Sequence, residues 1–146
     1  RQLTTTQGLV DFVSNDYLGL ARSERLFKFI EKKVHNLHLL NGATGSRLLS
    51  GNTAYTEEVE TKLAQVFNSE AALIFNAGYT ANLAVLSALP QRGDTILYDE
   101  LAHVCIKDGA RLSLANRISF RHNDLNDLEH KLKKASGQIF IAVEAL

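Results

Sequence analysis

The chain has 146 residues, 45% hydrophobic and 22% charged, which is enough for one domain with a buried core. Sixteen basic and sixteen acidic side chains give a formal net charge of zero, so we expect neither nucleic acid nor an anionic membrane as a partner. No run approaches the ~18–20 apolar residues of a membrane span, and residues 1–9 lack the apolar stretch of a signal peptide. The single cysteine, Cys105, cannot form an internal disulfide, so a reducing, cytoplasmic location is expected.

The first third of the chain predicts a strand, a helix and a loop. Val10–Val13 read as a short strand that leads into a turn-forming cluster at residues 14–19. Ser23 is placed to cap a helix, because apolar side chains then recur every three or four residues up to Leu37. A glycine-dense loop at residues 41–52 precedes a second amphipathic helix.

From residue 71 onwards, short apolar strands alternate with helical stretches. This alternation is typical of βαβ units around a mostly parallel sheet, so the fold class is predicted to be α/β. The predicted strands are Ala71–Phe75, Thr95–Tyr98, Arg117–Phe120 and Gln138–Val143. The predicted helices are Tyr79–Leu89, His103–Leu114 and Asp124–Lys134, the last with Asp124 as its N-cap.

Two glycine-containing segments suggest ligand binding without establishing it. In residues 75–82 a predicted strand runs through a small-residue turn into a helix, whose unpaired N–H groups suit a phosphate. The alternative is a plain turn that uses the backbone freedom of Gly78. The loop at residues 41–52 matches neither a P-loop nor a dinucleotide fingerprint. Its glycines permit either tight turns or close approach to a ligand or partner subunit.

Two histidines follow predicted strands, where an α/β fold places its chemistry. His103 comes after the segment that begins at Tyr98, and His122 lies in the segment Phe120–Asp124. Position alone does not choose between them, and a capping or packing histidine is the alternative for each. No metal site is predicted, because no cluster has the spacing of metal ligands, and Cys105 has no activating partner apparent in the sequence.

Taken together, five segments resemble the α-oxoamine synthases, a family of fold-type-I enzymes that use pyridoxal 5'-phosphate (PLP). The order and spacing of the segments agree over nearly the whole chain. The matching segments are residues 15–20 (NDYLGL), 45–52 (GSRLLSGN), 76–82 (NAGYTAN), 99–103 (DELAH) and 120–124 (FRHND). The resemblance implies that residues 1–52 form an N-terminal segment with a dimer and cofactor loop. Residues 53–146 would be the first part of the large PLP-binding domain, with its mostly parallel sheet.

The resemblance also implies roles for individual residues. Gly78 and Tyr79 would offer backbone amides to the PLP phosphate, and His103 would lie flat against the pyridine ring. Glu144 would help to order the cofactor pocket. Two residues of the N-terminal segment would complete the site, namely Asn15 at the substrate carboxylate and Ser46 at the cofactor phosphate of the other subunit in a homodimer.

The implied reaction condenses an amino acid with an acyl-CoA or acyl carrier protein thioester and releases carbon dioxide. The residues look most similar to the branch that joins L-alanine to a pimeloyl thioester in biotin synthesis. The branches that use serine with palmitoyl-CoA or glycine with acetyl-CoA are alternatives. The family's lysine that binds PLP, with its ring-pairing aspartate, lies beyond the point matching Leu146, so the chain as given is expected to be inactive. A non-catalytic fragment or interaction module is the other class of hypothesis.

Overall fold

The computed structural model describes residues 12–38 and 42–145, which form two compact units divided between Glu57 and Glu58. The first unit contains a single 3₁₀ turn at Leu20–Arg22 and helix α1 at Glu24–Asn36. The Ser23 hydroxyl accepts the N–H of Leu26 at 3.2 Å, which confirms the predicted N-cap. Of the predicted strand at residues 10–13, positions 10 and 11 lie outside the described residues, and positions 12 and 13 form a bend.

The glycine-dense loop folds back on itself before helix α2 (Ala54–Val66). The carbonyl oxygen of Ser46 accepts the N–H groups of Leu49, Ser50 and Gly51. A Cβ at Gly51 would lie 1.8 Å from the carbonyl oxygen of Gly45, so this glycine is required by the approach of the chain to itself. Of the two alternatives for the loop glycines, the tight turn therefore accounts for Gly51.

The second unit is built on a three-stranded parallel sheet, as the predicted α/β class requires. Its strands are β1 (Thr95–Asp99), β2 (Asn116–Phe120) and β3 (Ile139–Ala142), in the order β2-β1-β3. Parallel neighbours need crossover connections, and helices provide them. Helix α3 (Gly78–Ala88) precedes β1, α4 (Val104–Leu112) joins β1 to β2, and α5 (Leu125–Leu132) joins β2 to β3. The Asp124 carboxylate accepts the N–H of Asp127 at 2.9 Å and so caps α5 as predicted.

The predicted strand at Ala71–Phe75 is wrong for this structure. These residues pair with none of the three strands of the described sheet. The N–H of Ile74 donates instead to the carboxylate of Glu60 at 2.7 Å. An apolar run becomes a strand only when a neighbouring strand pairs with its backbone N–H and C=O groups. The sequence of the run does not show whether such a neighbour is present.

The core lies between the sheet and helices α3 and α4. Ile96 and Leu97 of the central strand are completely buried. Alternate strand residues face opposite sides, so Ile96 faces α3 and α4 while Leu97 and Asp99 face the other side. The cluster around Ile96 consists of Leu86, Ala102, Cys105, Ile106 and Ala110, with Tyr98, Phe140 and Ala142 packed against it.

Helices α3 and α4 approach closely at Gly109. A Cβ there would lie 2.9 Å from the Cβ of Leu86 and 3.1 Å from the carbonyl oxygen of Asn82. These distances are shorter than ordinary van der Waals contacts, so the two backbones approach as they do because residue 109 has no side chain. None of the helices in the described part of the chain is long and apolar enough to cross a bilayer.

Candidate active site

Two residues singled out in the sequence meet at the carboxyl edge of the sheet. His103 follows β1 and is the N-cap of α4, and Glu144 follows β3. The N–H of His103 donates to Oε2 of Glu144 at 2.7 Å. Because β1 and β3 are parallel neighbours, the loops after them emerge at the same edge, and this hydrogen bond ties them together.

The start of α3 has the properties of an anion site. Its N-cap, Ala77, makes no side-chain hydrogen bond to the first turn. The N–H groups of the first turn have no intrahelical acceptor and carry partial positive charge. A Cβ added at Gly78 would meet nothing within 4 Å among the described residues, and Gly78 does not have the left-handed backbone that favours glycine. Within the described part of the chain, neither a tight turn nor packing explains Gly78, and open space lies beside these amides.

Tyr79 joins the start of α3 to α4. Its hydroxyl donates to Oδ2 of Asp108 at 2.6 Å, and this hydrogen bond, with burial and the carboxylate charge, raises the pKa of the Tyr79 phenol above 10.0. The Tyr79 ring meets the imidazole of His103 edge-on, with centroids 6.5 Å apart and planes at 83°. The structure thus brings together four of the predicted site residues: Gly78, Tyr79, His103 and Glu144.

The second histidine candidate has a different partner. Nδ1 of His122 lies 3.0 Å from both carboxylate oxygens of the buried Asp99. Burial opposes ionisation of Asp99, but N–H groups of Leu101 and Asn123 and the imidazole of His122 donate to the carboxylate. Together these hydrogen bonds outweigh the burial and lower the pKa of Asp99 below 3.8. The pair joins the ends of β1 and β2.

A cleft of about 360 Å³ opens beside this pair, under α5. It is lined by Asp99, His122, Asn123 and Glu144, together with apolar side chains that include Leu125 and Val143. His103, Gly78 and Tyr79 are not among its lining residues. The cleft and the cluster at the starts of α3 and α4 are therefore two distinct features, and Glu144 is adjacent to both.

Asn15 and Ser46 belong to the first unit, which is described by itself. Asn15 is exposed, and the hydroxyl of Ser46 accepts the N–H of Leu48 at 3.3 Å. Their roles at a substrate carboxylate and at a neighbouring subunit's phosphate stay predictions.

Sequence reasoning missed the side chains that support the histidines. Asp99 and Asp108 are partners of His122 and Tyr79, and Cys105 lies against His103, with Nδ1 and Sγ 2.9 Å apart. The expectation that Cys105 lacks a partner was thus incomplete, although its position two residues after a helix-capping histidine is a signal that could have revealed the contact.

Comparison with known proteins places these features in a family context. The protein-family profile described as aminotransferase class I and II matches residues 7–145. A relative from Bacillus licheniformis, provisionally named 8-amino-7-oxononanoate synthase, is 50% identical over 128 residues. That match covers 88% of this chain and 33% of the relative. The chain thus spans about a third of the length of the curated relatives it matches.

Solved structures agree with the fold. 8-Amino-7-oxononanoate synthase from Francisella tularensis superposes with a TM-score of 0.72 at 29% identity, over 93% of this chain and 37% of that one. Serine palmitoyltransferase from Sphingomonas wittichii also gives a TM-score of 0.72, at 32% identity, over 81% of this chain and 29% of that one. Because the two TM-scores are equal, the structural comparison does not choose between the two activities.

The Asp99–His122 pair predicts a specific acid dependence of stability. The folded state lowers the pKa of Asp99, so the ionised carboxylate stabilises the folded protein. This stabilisation is fully present above the ordinary pKa of 3.8 and is lost as the pH falls through the lower pKa of the folded state. In the full-length protein, Asp99→Asn should lower the thermal unfolding midpoint at pH 7, and the difference from wild type should narrow below about pH 4. Differential scanning calorimetry from pH 7 to pH 3 measures this difference.

The matched control is Glu129→Gln, which changes an exposed carboxylate on α5. It should track the wild type at every pH. A wild-type to Asp99→Asn difference that stays constant down to pH 3 would show that the ionised Asp99 does not stabilise the fold.

Proposed function

The chain belongs to the aminotransferase class I and II family, and we propose that it is the cofactor-cradling part of a PLP-dependent C-acyltransferase of the α-oxoamine synthase type. In this proposal residues 1–52 are an N-terminal segment and residues 53–146 begin the large domain. The observation that carries the proposal is the meeting of the uncapped start of α3 with His103 and Glu144.

The residues present fit PLP. Its phosphate is an anion, and the first-turn amides of α3 offer N–H donors beside open space at Gly78. The ring of PLP is flat and aromatic, and the imidazole of His103 offers it a flat surface to pack against. This imidazole contacts the ring of Tyr79, which lies in the first turn of α3. The start of α3 would therefore hold the phosphate of PLP, and His103 at the start of α4 would contact its ring.

Each residue then has a definite task. Gly78 and Tyr79 hold the phosphate through backbone N–H groups, and His103 packs against the pyridine ring. Glu144 accepts the backbone N–H of His103 and so fixes the start of α4 at the end of β3. Asn15 binds the carboxylate of the amino-acid substrate. When bound, PLP supplies the electron sink for the carbanion that the acyl thioester must capture.

For the substrates we propose L-alanine and a pimeloyl thioester, which is the reaction of 8-amino-7-oxononanoate synthase in biotin synthesis. The support is the name of relatives that are 43–50% identical, including one from Bacillus subtilis strain 168. The serine palmitoyltransferase reaction is the second candidate, supported by the equal TM-score of that structure. A cytoplasmic location is part of the proposal, in keeping with the free thiol of Cys105.

We also propose a homodimer in which Ser46 reaches toward the partner's cofactor phosphate. The loop that carries Ser46 is closed at its base by Gly51 and Gly45, and it presents Leu48 and Leu49 at 91% and 86% exposure. Leu48 and Leu49 together present apolar surface that a subunit contact would cover.

The reaction is tested with the purified full-length protein, PLP, and each amino acid paired with each thioester. We expect coenzyme A release that depends on PLP and is fastest with L-alanine and pimeloyl-CoA, with mass spectrometry showing the decarboxylated ketone. Faster turnover with L-serine and palmitoyl-CoA would favour the second candidate. No turnover with any pair, in protein that folds, would contradict the enzyme proposal.

The phosphate site is tested by capping α3. Ala77→Asp puts a carboxylate at the N-cap, which should stabilise the PLP-free protein by about 0.5–2 kcal/mol. The same carboxylate occupies the first-turn amides and repels an anion, so PLP affinity should fall more than about tenfold, which corresponds to roughly 1.4 kcal/mol. Calorimetry of the PLP-free protein and equilibrium titration with PLP measure the two effects.

Ala77→Ser is the matched variant, because it caps the helix without adding charge. It should stabilise the protein similarly while weakening PLP binding less than Ala77→Asp does. Tight PLP binding by Ala77→Asp, alongside raised stability, would place the phosphate elsewhere.

The dimer is tested by sedimentation equilibrium of the full-length protein. We expect a mass twice that of one chain, and dissociation at low concentration when Leu48 and Leu49 are both changed to Ser. The control changes the exposed Leu125 on α5 to Ser, which should leave the mass unchanged. A monomeric wild type would contradict the proposal.

A further inference from the structure

The imidazole of His103 is held through one of its two nitrogens. Nδ1 accepts the backbone N–H of Cys105 at 3.2 Å, and the thiol sulfur of Cys105 lies 2.9 Å from the same nitrogen. Because Nδ1 acts as an acceptor, it carries no proton in this arrangement, and the neutral ring has its proton on Nε2. Cys105 itself is 3% exposed, so the thiol is packed in place.

Asn82 of α3 orients the thiol. Its Nδ2 donates to Sγ of Cys105 at 3.2 Å. A sulfur that accepts this hydrogen bond directs its own S–H elsewhere, and Nδ1 of His103 is the acceptor within reach. In this arrangement donation runs from the Asn82 amide through the Cys105 thiol to Nδ1, and the thiol shares the single lone pair of Nδ1 with the backbone N–H of Cys105.

The contact between α3 and α4 makes this arrangement possible. Gly109 allows the backbone of Asn82 to approach α4, as the 3.1 Å distance from an added Cβ to the Asn82 carbonyl shows. The first turn of the same helix carries Gly78 and Tyr79, and Tyr79 is anchored to α4 through Asp108. The position of the imidazole relative to the start of α3 is thus set by contacts between the two helices, and not only by the loop that carries His103.

We propose that Asn82 and Cys105 are positioning residues that fix the orientation of the His103 ring relative to the phosphate-binding turn of α3. The inference rests on the proposed function, because the orientation matters when the ring packs against PLP while the start of α3 holds the phosphate. An imidazole that is already ordered loses little rotamer freedom when the cofactor binds, whereas a free one must be ordered at a cost in affinity.

The test uses the full-length protein with ¹⁵N-labelled histidine, first without PLP. Heteronuclear NMR reports which ring nitrogen carries the proton, and His103→Gln assigns the signal. Wild type should show a single ring signal with the proton on Nε2. Cys105→Ala keeps the backbone N–H that Nδ1 accepts, so the proton should stay on Nε2 while the ring signal broadens because the ring loses its contact with the thiol. Cys105→Ser, which keeps a side-chain donor, should restore the sharp wild-type signal.

PLP titration gives an independent readout. Affinity should fall roughly threefold to tenfold in Cys105→Ala, the size expected for one lost hydrogen bond, and return to within about twofold of wild type in Cys105→Ser. Asn82→Ala changes an exposed residue and leaves the core intact, so it should fold even if Cys105→Ala does not. It should broaden the ring signal and lower the PLP affinity, as Cys105→Ala does.

The outcomes separate the two proposals. A wild-type His103 with its proton on Nδ1 would overturn the positioning role, and so would variants that match the wild type in both the width of the ring signal and PLP affinity. A wild type that does not bind PLP would overturn the proposed function, and the NMR result would still decide whether Asn82 and Cys105 hold the ring.

Discussion

The packing of α3 against α4 at Gly109 is the contact on which the candidate site depends. Without a side chain at residue 109, the helices come close enough for three polar or aromatic contacts between them. The Tyr79 hydroxyl reaches Asp108, the Asn82 amide reaches Cys105, and the Tyr79 ring meets His103. The starts of both helices are thereby fixed relative to each other. The proposed anion site at the start of α3 therefore lies beside the imidazole at the start of α4.

The parallel sheet supplies the second constraint. Its central strand β1 has a neighbour on each side, and its end is tied to both neighbours by different groups. Toward β3, Glu144 accepts the N–H of His103. Toward β2, the carboxylate of Asp99 binds His122. Charged hydrogen bonds of this kind are stronger than neutral ones, so the three strand ends are held at defined positions around the site.

Much of this architecture could be predicted from the sequence. The helix caps Ser23 and Asp124 follow from local patterns, because each side chain binds the first turn of its own helix. The parallel α/β class follows from the alternation of apolar strands with helices along the chain. The strand predicted at Ala71–Phe75 is wrong because a strand depends on a neighbouring strand, which is often distant in sequence. Apolar character alone does not show whether that partner is present.

The site could be predicted only in part. Residue order placed His103 and His122 in equivalent positions after strands, and their partners distinguish them: one touches Glu144 and Cys105, the other Asp99. The contact of Asn82 with Cys105 joins residues 23 positions apart. It depends on how two helices pack, which no periodicity along the chain encodes.

The most direct test of this account is a crystal structure of the full-length protein with PLP bound. The account predicts that the cofactor phosphate accepts hydrogen bonds from the backbone N–H groups of Gly78 and Tyr79, with the pyridine ring packed against the imidazole of His103. A cofactor whose phosphate is bound away from the start of α3, or whose ring does not touch His103, would contradict it.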